Sequence, residues 1–256
     1  MNKIVIVAGG CGRIGTAFVK SIIACGGLCV IADINEIHGL ELVKQFDETN
    51  KVIFVKTDLT NKKSIANLIS TTVNDFSRID AYVNTSYPRN RNWGVKFADV
   101  EFADFCENAN IHLGGYFLSA QQMCEFFKTQ GYGNIVQVAS IQGISAPKFD
   151  TYHGILVNGK EMTSPAEYSV FKAGIIHFSR YLAKYYQGSN IRSNCISPGG
   201  ILEGQPEQFL KRYNNYCTSK GMLDPEDIAG TLIYLLSDMS LYVNGQNIVV
   251  DDGWSL

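Results

Sequence analysis

A three-layer α/β fold, with a doubly wound parallel sheet of about seven strands in a single domain, is what this 256-residue sequence predicts. Three observations carry that expectation. Short β-branched runs alternate with helix-length amphipathic segments, the pattern of repeated βα units. The first run passes straight into a glycine cluster that opens a helix. The length suits one large α/β core rather than two domains.

Taken in order, Lys3-Ile4-Val5-Ile6-Val7-Ala8 reads as a buried strand. Gly9-Gly10-Cys11-Gly12-Arg13-Ile14-Gly15 follows, and Thr16 to Ile23 reads as a helix. A dinucleotide pyrophosphate needs that sequence of strand, glycine turn and helix. Bare backbone at Gly9, Gly12, Arg13, Ile14 and Gly15 lets phosphate oxygens approach the free N–H groups of the helix start. The next strand, Leu28 to Ala32, ends at Asp33, where a carboxylate accepts hydrogen bonds from an adenosine ribose and repels a 2′-phosphate. NAD is therefore expected over NADP, with Arg13 the one loop residue able to reach a 2′-phosphate instead.

Alternation continues through a helix at Glu36–Phe46, a strand at Val52–Val55, Asp58-Leu59-Thr60, a helix at Lys62–Phe76 and a strand at Ala81–Val83. Ligands of such sheets lie beyond the carboxyl ends of the strands, so Asp58, Asn84 and Tyr87 are expected along one crevice. Pro88 to Lys96 then holds three cations, Arg89, Arg91 and Lys96, with no acid. It is either a clamp for an anionic substrate group or a solvated loop. One long helix is expected over Phe102–Lys128, carrying His112 and a Gly114-Gly115 pair that suggests close approach of a neighbour. A fifth strand at Asn134–Ala139 ends at Ser140. An irregular stretch, 144–166, forms a lobe beside the site, and His153 is its candidate substrate contact. A helix to Tyr186 and a strand at Ile191–Ile196 complete the pattern. The segment 201–223, with Tyr213, Tyr216 and Met222, is expected to form a lid, and Asp224-Pro225 to cap a last helix.

The chemistry is concentrated in Tyr168-x-x-x-Lys172, two residues that share a helix face. An ammonium about 4 Å from a phenol, at an effective dielectric near 20, contributes roughly 4 kcal/mol, or about three pKa units at most. Such a phenol can exchange a proton with an alcohol or carbonyl held by Ser140.

Composition excludes several alternatives. The 22 basic and 24 acidic residues leave a net charge of -2, with no field for nucleic acid or an anionic membrane. The opening apolar run is too short for a signal peptide, and no segment has membrane-spanning length. Seven scattered cysteines read as reduced thiols of a cytoplasmic protein, and neither they nor His38, His153 and His177 have metal-ligand spacing, so no metal is expected.

Together the glycine loop, Asp33, Asp58-Leu59, Asn84, Ser140, Tyr168-x-x-x-Lys172, Asn194 with Pro198-Gly199, and the tail Gly245 to Gly253 resemble the short-chain dehydrogenase/reductase family, with its Rossmann fold, along essentially the whole chain. That resemblance implies an NAD(P)-dependent oxidoreductase transferring hydride to or from a small-molecule substrate. Tyr168 would be the general acid/base, Ser140 the partner of the substrate oxygen, and Lys172 the ligand of the nicotinamide ribose. Pro198, Gly199 and Ile201 would flank the nicotinamide, and the protein would be a homodimer or homotetramer. Three departures stand out: His112 occupies the place of the family's helix asparagine, Thr85-Ser86-Tyr87 replace its Asn-Ala-Gly, and the gap from Ser140 to Tyr168 is unusually long. A second expectation follows from the first departure, a dinucleotide-binding regulatory or partner subunit without turnover. Tyr87-Pro88-Arg89-Asn90, His112 to Phe117 and the Asp251–Leu256 ending look like bacterial oxidoreductases of flagellin glycosylation and nonulosonic acid pathways. This implies a phosphorylated or nucleotide-linked sugar, with Tyr87, Arg89, Arg91 and His153 as substrate contacts.

Overall fold

Strand β1 (Ile4–Ala8) is buried along its whole length, as a β-branched run covered on both faces must be. Its alternating side chains divide between two cores: Val5 and Val7 face one, Ile6 and Ala8 the other. The computed structural model describes residues 2–46 and 51–256. From β1 the chain runs through α1 (Arg13–Ala24), β2 (Leu28–Asp33), α2 (Glu36–Lys44), β3 (Val52–Lys56), α3 (Lys62–Phe76) and β4 (Ala81–Asn84). It continues through α4 (Phe102–Asn108), α5 (Gly115–Gln130), β5 (Gly133–Val138), the small antiparallel pair β6 (Leu156–Val157) and β7 (Lys160–Glu161), and α6 (Ala166–Tyr185). β8 (Ile191–Pro198), α7 (Glu207–Asn214), α8 (Ala229–Leu236) and β9 (Asn247–Val250) close it.

The main sheet has seven strands in the order β3-β2-β1-β4-β5-β8-β9, and its pairings are parallel. Helices α1 and α8 cover one face through Phe18, Ile22, Leu232 and Leu235, and α3, α5 and α6 the other through Leu68, Met123, Phe127 and Leu182. Each such burial contributes roughly 1.5–3 kcal/mol. Strand order reverses between β1 and β4, which opens a crevice at the carboxyl ends of those strands. Local signals agree with the layers. The Asn61 side chain caps α3 by accepting from Lys63 and Ser64 N–H groups at 2.9 and 3.2 Å.

The helix expected over Phe102–Lys128 is not continuous. A π-turn over Ala109–Gly114 separates α4 from α5. Such a turn inserts an extra residue and re-aims those around it, a device often found at functional sites. Here it sets Ile111 on the crevice wall and His112 in the interior. The close approach suggested by the glycine pair amounts to ordinary contact: a Cβ on Gly115 would lie 3.5 Å from Leu59.

Residues 144–166 fold as a short 3-10 turn at Phe149–Thr151 followed by the β6–β7 pair. Residues 201–223 leave β8, form α7 and return, their ends joined by a bridge between Ile201 and Leu223. The two segments pack on each other. Arg212 donates to the carbonyls of Asp150 and His153 at 3.1 and 2.6 Å, and the Tyr152 and Phe209 rings lie 5.1 Å apart. The chain's end ties the base down. Asp252 accepts from the Gly221 and Ser219 N–H groups and from the Thr218 and Ser219 hydroxyls, which hold its carboxyl well below the usual carboxylate range.

Candidate active site

A cleft of about 1070 Å³ runs along the carboxyl ends of the strands, from the β2–α2 turn to the paired segments 144–166 and 201–223. At its phosphate end the backbone leaves no room for side chains. Gly9 has φ of +70°, and a Cβ there would lie 2.7 Å from the Ser86 Cα. A Cβ on Gly15 would come within 2.2 Å of the Gly9 carbonyl oxygen. Gly12 caps α1 without any side chain. The first-turn N–H groups of α1, at Arg13, Ile14 and Gly15, therefore meet the cleft without a competing capping side chain, at the positive end of the helix dipole. A pyrophosphate fits this cradle.

Asp33 lines the cleft at the end of β2, its two oxygens accepting from the Cys11 and Asn35 N–H groups at 3.1 and 3.0 Å. The turn thus fixes the carboxylate while each oxygen keeps a lone pair for a ligand. Arg13 turns elsewhere. Its guanidinium donates to the Leu202 carbonyl at 2.9 Å and pairs with Glu203 at 3.2 Å, bridging the glycine loop to the segment after β8, so it does not stand ready for a 2′-phosphate. Asp58 holds its own turn through Thr60 and lies on the wall with Leu59. Asn84 departs from expectation. Fully buried, it accepts from the Ser86 N–H and hydroxyl at 3.0 and 2.7 Å, so it orders the Thr85-Ser86 wall rather than being part of it.

Deeper in, Ser140, Tyr168 and Lys172 converge, with Pro198, Gly199 and Ile201 on the wall beside them. Ser140 sits just past β5 in extended backbone, its Oγ accepting from the Gln142 N–H at 3.2 Å. Tyr168 and Lys172 lie one turn apart on α6. The Lys172 Nζ is 5.6 Å from the Tyr168 ring centre and donates to the Val138 carbonyl at 2.9 Å. Electrostatics here correct the simple picture of a phenol made acidic by its lysine. Burial pushes the Tyr168 phenol up, and a hydrogen bond with Ser140 works against that rise. Burial also pulls the Lys172 ammonium down to about 7, since its near partners are a carbonyl and aromatic rings rather than a carboxylate.

His112 is fully buried behind this group, stacked against Trp93 and Tyr116 with ring centres at 6.1 and 5.8 Å. Burial and then the Lys172 charge pull it down to about 2, so the ring is neutral, and neither nitrogen meets a well-formed hydrogen-bond partner. Of the expected substrate contacts, Tyr87 reaches the cleft, its ring 5.4 Å from that of Tyr168, and Arg89 lies over Tyr87 at 4.9 Å. Arg91 is exposed and forms no part of the wall. The 88–96 loop is anchored by Asn90 to Asn108 and by Lys96 to Glu161. His153 also lies outside the cleft: its side chain is 87% exposed with Nδ1 3.8 Å from a Glu161 oxygen, and its carbonyl accepts from Arg212. Sequence reading passed over Gln142, Tyr152, Met162, Phe209 and Trp254, which all line the substrate end. No local motif marks them, because they come from the turn after β5, segments 144–166 and 201–223, and the stretch after β9, which meet only in the fold.

Among the described residues no cluster of His, Cys, Asp and Glu stands ready for a metal ion, and no helix is long and apolar enough to cross a membrane. A family model described as "Enoyl-(Acyl carrier protein) reductase" matches residues 11–255. The chain is 45% identical over 260 residues to "Post-translational flagellin modification protein A" of Campylobacter coli, covering 100% of this chain and 99% of that protein. It is 32% identical over 267 residues to 7alpha-hydroxysteroid dehydrogenase of Bacteroides fragilis, covering 100% and 95%. Among solved structures, a short chain dehydrogenase from Leptospira borgpetersenii with bound NAD+ superposes with a TM-score of 0.86 at 30% identity, covering 100% of this chain and 94% of that one. With a family model over residues 11–255 and relatives matched along the whole chain, this chain, with its glycine cradle, its Ser-Tyr-Lys group and its seven-stranded parallel sheet, belongs to the short-chain dehydrogenase/reductase family of NAD(P)-dependent oxidoreductases.

Proposed function

We propose that this protein uses NAD in preference to NADP to interconvert a hydroxyl and a carbonyl on a small polar, sugar-type substrate during bacterial flagellin or surface-glycan modification. The convergence of Ser140, Tyr168 and Lys172 at the inner end of a glycine cradle is the observation that carries the reading. The name of the Campylobacter coli relative supports the pathway, and the NAD+ bound in the Leptospira structure supports the cofactor. Asp33 adds to the case for NAD, since a fixed carboxylate repels a 2′-phosphate.

Gly9, Gly12, Arg13, Ile14 and Gly15 hold the pyrophosphate through the loop backbone, Asp33 the adenosine ribose, and Asp58 and Leu59 the adenine side. Pro198, Gly199 and Ile201 border the nicotinamide, which when bound supplies or accepts the hydride. Ser140 holds the substrate oxygen, Tyr168 gives or takes its proton, and Lys172 binds the nicotinamide ribose. Because burial favours the protonated phenol, Tyr168 at neutral pH is set to protonate a carbonyl, and the opposite direction requires it to lose its proton first. Segments 144–166 and 201–223 roof the substrate end and keep water from it. Exposed Phe117 on α5 and Tyr181 and Tyr185 on α6 support assembly into a homodimer or homotetramer. A cytoplasmic setting fits a soluble cofactor pool.

The test is a pair of measurements on the purified protein. Fluorescence titration should give a lower dissociation constant for NADH than for NADPH. A panel of nucleotide-linked and phosphorylated amino sugars should contain a substrate that changes NADH absorbance in wild type and not in Tyr168→Phe. Tight NADH binding with no turnover across the panel, and an unaltered flagellin glycan in cells carrying Tyr168→Phe, would sink the enzymatic part of this reading.

A further inference from the structure

Gln142 lies two residues beyond Ser140 on a tight 3-10 turn and lines the cleft. Its carboxamide is held on every side but one. Oε1 accepts from the Ser164 hydroxyl at 2.7 Å and the Ser169 hydroxyl at 3.3 Å, and Nε2 donates to the Tyr152 hydroxyl at 3.4 Å. Burial pushes the Tyr152 phenol up, and its polar neighbours Ser164 and Gln142 work against that rise. Both serine hydroxyls donate to the amide oxygen, which leaves the amide nitrogen to Tyr152. One N–H of Gln142 and the Tyr152 hydroxyl are left at the cleft wall.

Three chain segments cooperate in this. The turn after β5 supplies Gln142, segment 144–166 supplies Tyr152 and Ser164, and α6 supplies Ser169 beside Tyr168. The polar group runs directly into aromatic surface, the Tyr152 ring packing on Phe209 with ring centres 5.1 Å apart. Tyr213 and Trp254 stack with ring centres 5.5 Å apart, with Phe209 and Met222 beside them. A polar pair set at the edge of an aromatic surface suits a hydroxylated ring, its oxygens at the pair and its C–H face on the rings.

We infer that Gln142 and Tyr152 are the specificity-determining pair of this enzyme, binding an oxygen on a carbon next to the one that reacts, so that a vicinal hydroxyl is required of the substrate. The inference rests on the oxidoreductase reading above and sharpens it. A plain cyclic alcohol fills the chamber but leaves the Gln142 N–H unpaired, and a buried donor without a partner penalises that complex.

The probes are trans-1,2-cyclohexanediol and cyclohexanol, whose dissociation constants are measured by saturation-transfer NMR on the full-length protein saturated with NADH. Wild type should hold the diol about tenfold more tightly, the worth of one well-placed hydrogen bond. In Gln142→Ala that ratio should collapse toward unity, and in Tyr152→Phe it should fall, while both variants bind NADH with wild-type affinity, which reports an intact fold. Equal affinity of wild type for the two probes, binding of neither, or a ratio that survives Gln142→Ala overturns the inference and leaves the oxidoreductase reading standing. Failure of wild type to bind NADH defeats that reading itself, and this inference with it.

Discussion

Replacing Lys172 by methionine should make the protein more stable at neutral pH while removing its activity. Lys172 is 4% exposed, and burial takes its ammonium from the ordinary 10.5 down to about 7. Since the folded pKa lies below the unfolded one, the unfolded chain binds more protons between those values, and stability rises with pH across that window. At pH 7 the burden on the folded state is about 4 kcal/mol, and at pH 10 it is under about 1 kcal/mol. Methionine fills a similar volume without the charge. The Val138 carbonyl then has the Tyr116 hydroxyl at 3.1 Å, whose single proton it shares with the Asn84 and Ser86 carbonyls. The substitution forfeits one hydrogen bond and the attraction to the Tyr116 and Tyr168 rings, about 1–2 kcal/mol together. A net gain of about 2–3 kcal/mol at pH 7, shrinking to near zero by pH 10, is therefore expected. Urea unfolding of both proteins at matched pH values between 6 and 10 reads the difference directly, because other titrating groups cancel. The reasoning is refuted if Lys172→Met is the less stable protein at pH 7, or if the gap between the two does not change with pH.

Four further outcomes follow from the site. Tyr168→Phe should lose about 10²–10⁴-fold in turnover while binding NADH as wild type does; a smaller loss would take the phenol out of proton transfer. Because burial keeps the Tyr168 proton on, the rate of alcohol oxidation should climb with pH through the alkaline range, and a pH-independent profile speaks against Tyr168 as the titrating base. Gly15→Ala should abolish NADH binding, since the added Cβ would lie 2.2 Å from the Gly9 carbonyl oxygen; calorimetry that still shows binding would mean the cradle is not where the phosphates go. Asp33→Ala should raise NADPH affinity relative to NADH, and an unchanged ratio would remove this carboxylate from cofactor choice.

The sheet was legible because its determinants are local. Buried strands read as short apolar stretches rich in β-branched residues: β1 is one along nearly its whole length, and β2 and β5 carry Val30-Ile31 and Ile135-Val136 at their centres. The glycine loop was legible for a related reason: Gly9 and Gly15 are demanded by backbone contacts within a few residues or one strand away, so the signal stays compact. The break at Ala109–Gly114 was not. A π-turn leaves no compositional mark, and the apolar spacing on either side reads as one helix. Nor was the substrate wall legible. Gln142, Tyr152, Phe209 and Trp254 are brought together only after Arg212 ties the two loops to each other and Asp252 ties the chain's end to their base.

Electrostatics were the least legible part, and Lys172 shows why. Its spacing from Tyr168 gives a distance along the helix, from which attraction alone was computed, with both groups treated as partly solvated. In the fold the same pair lies under two aromatic rings and a carbonyl, where the cost of charging each group exceeds the gain from its neighbour, and both shift toward the neutral form. His112 follows the same rule. The phase of the helix aligns it with a polar family position, but the ring packs among Tyr87 and Trp93 of the loop after β4, Tyr116 of α5 and Phe171 of α6, three separate segments. In that setting an imidazole acts as a neutral aromatic plate. Lys172, brought by burial to half charge near neutrality, stays within 5.6 Å of the Tyr168 ring centre, and the Lys172→Met titration reads that charge directly.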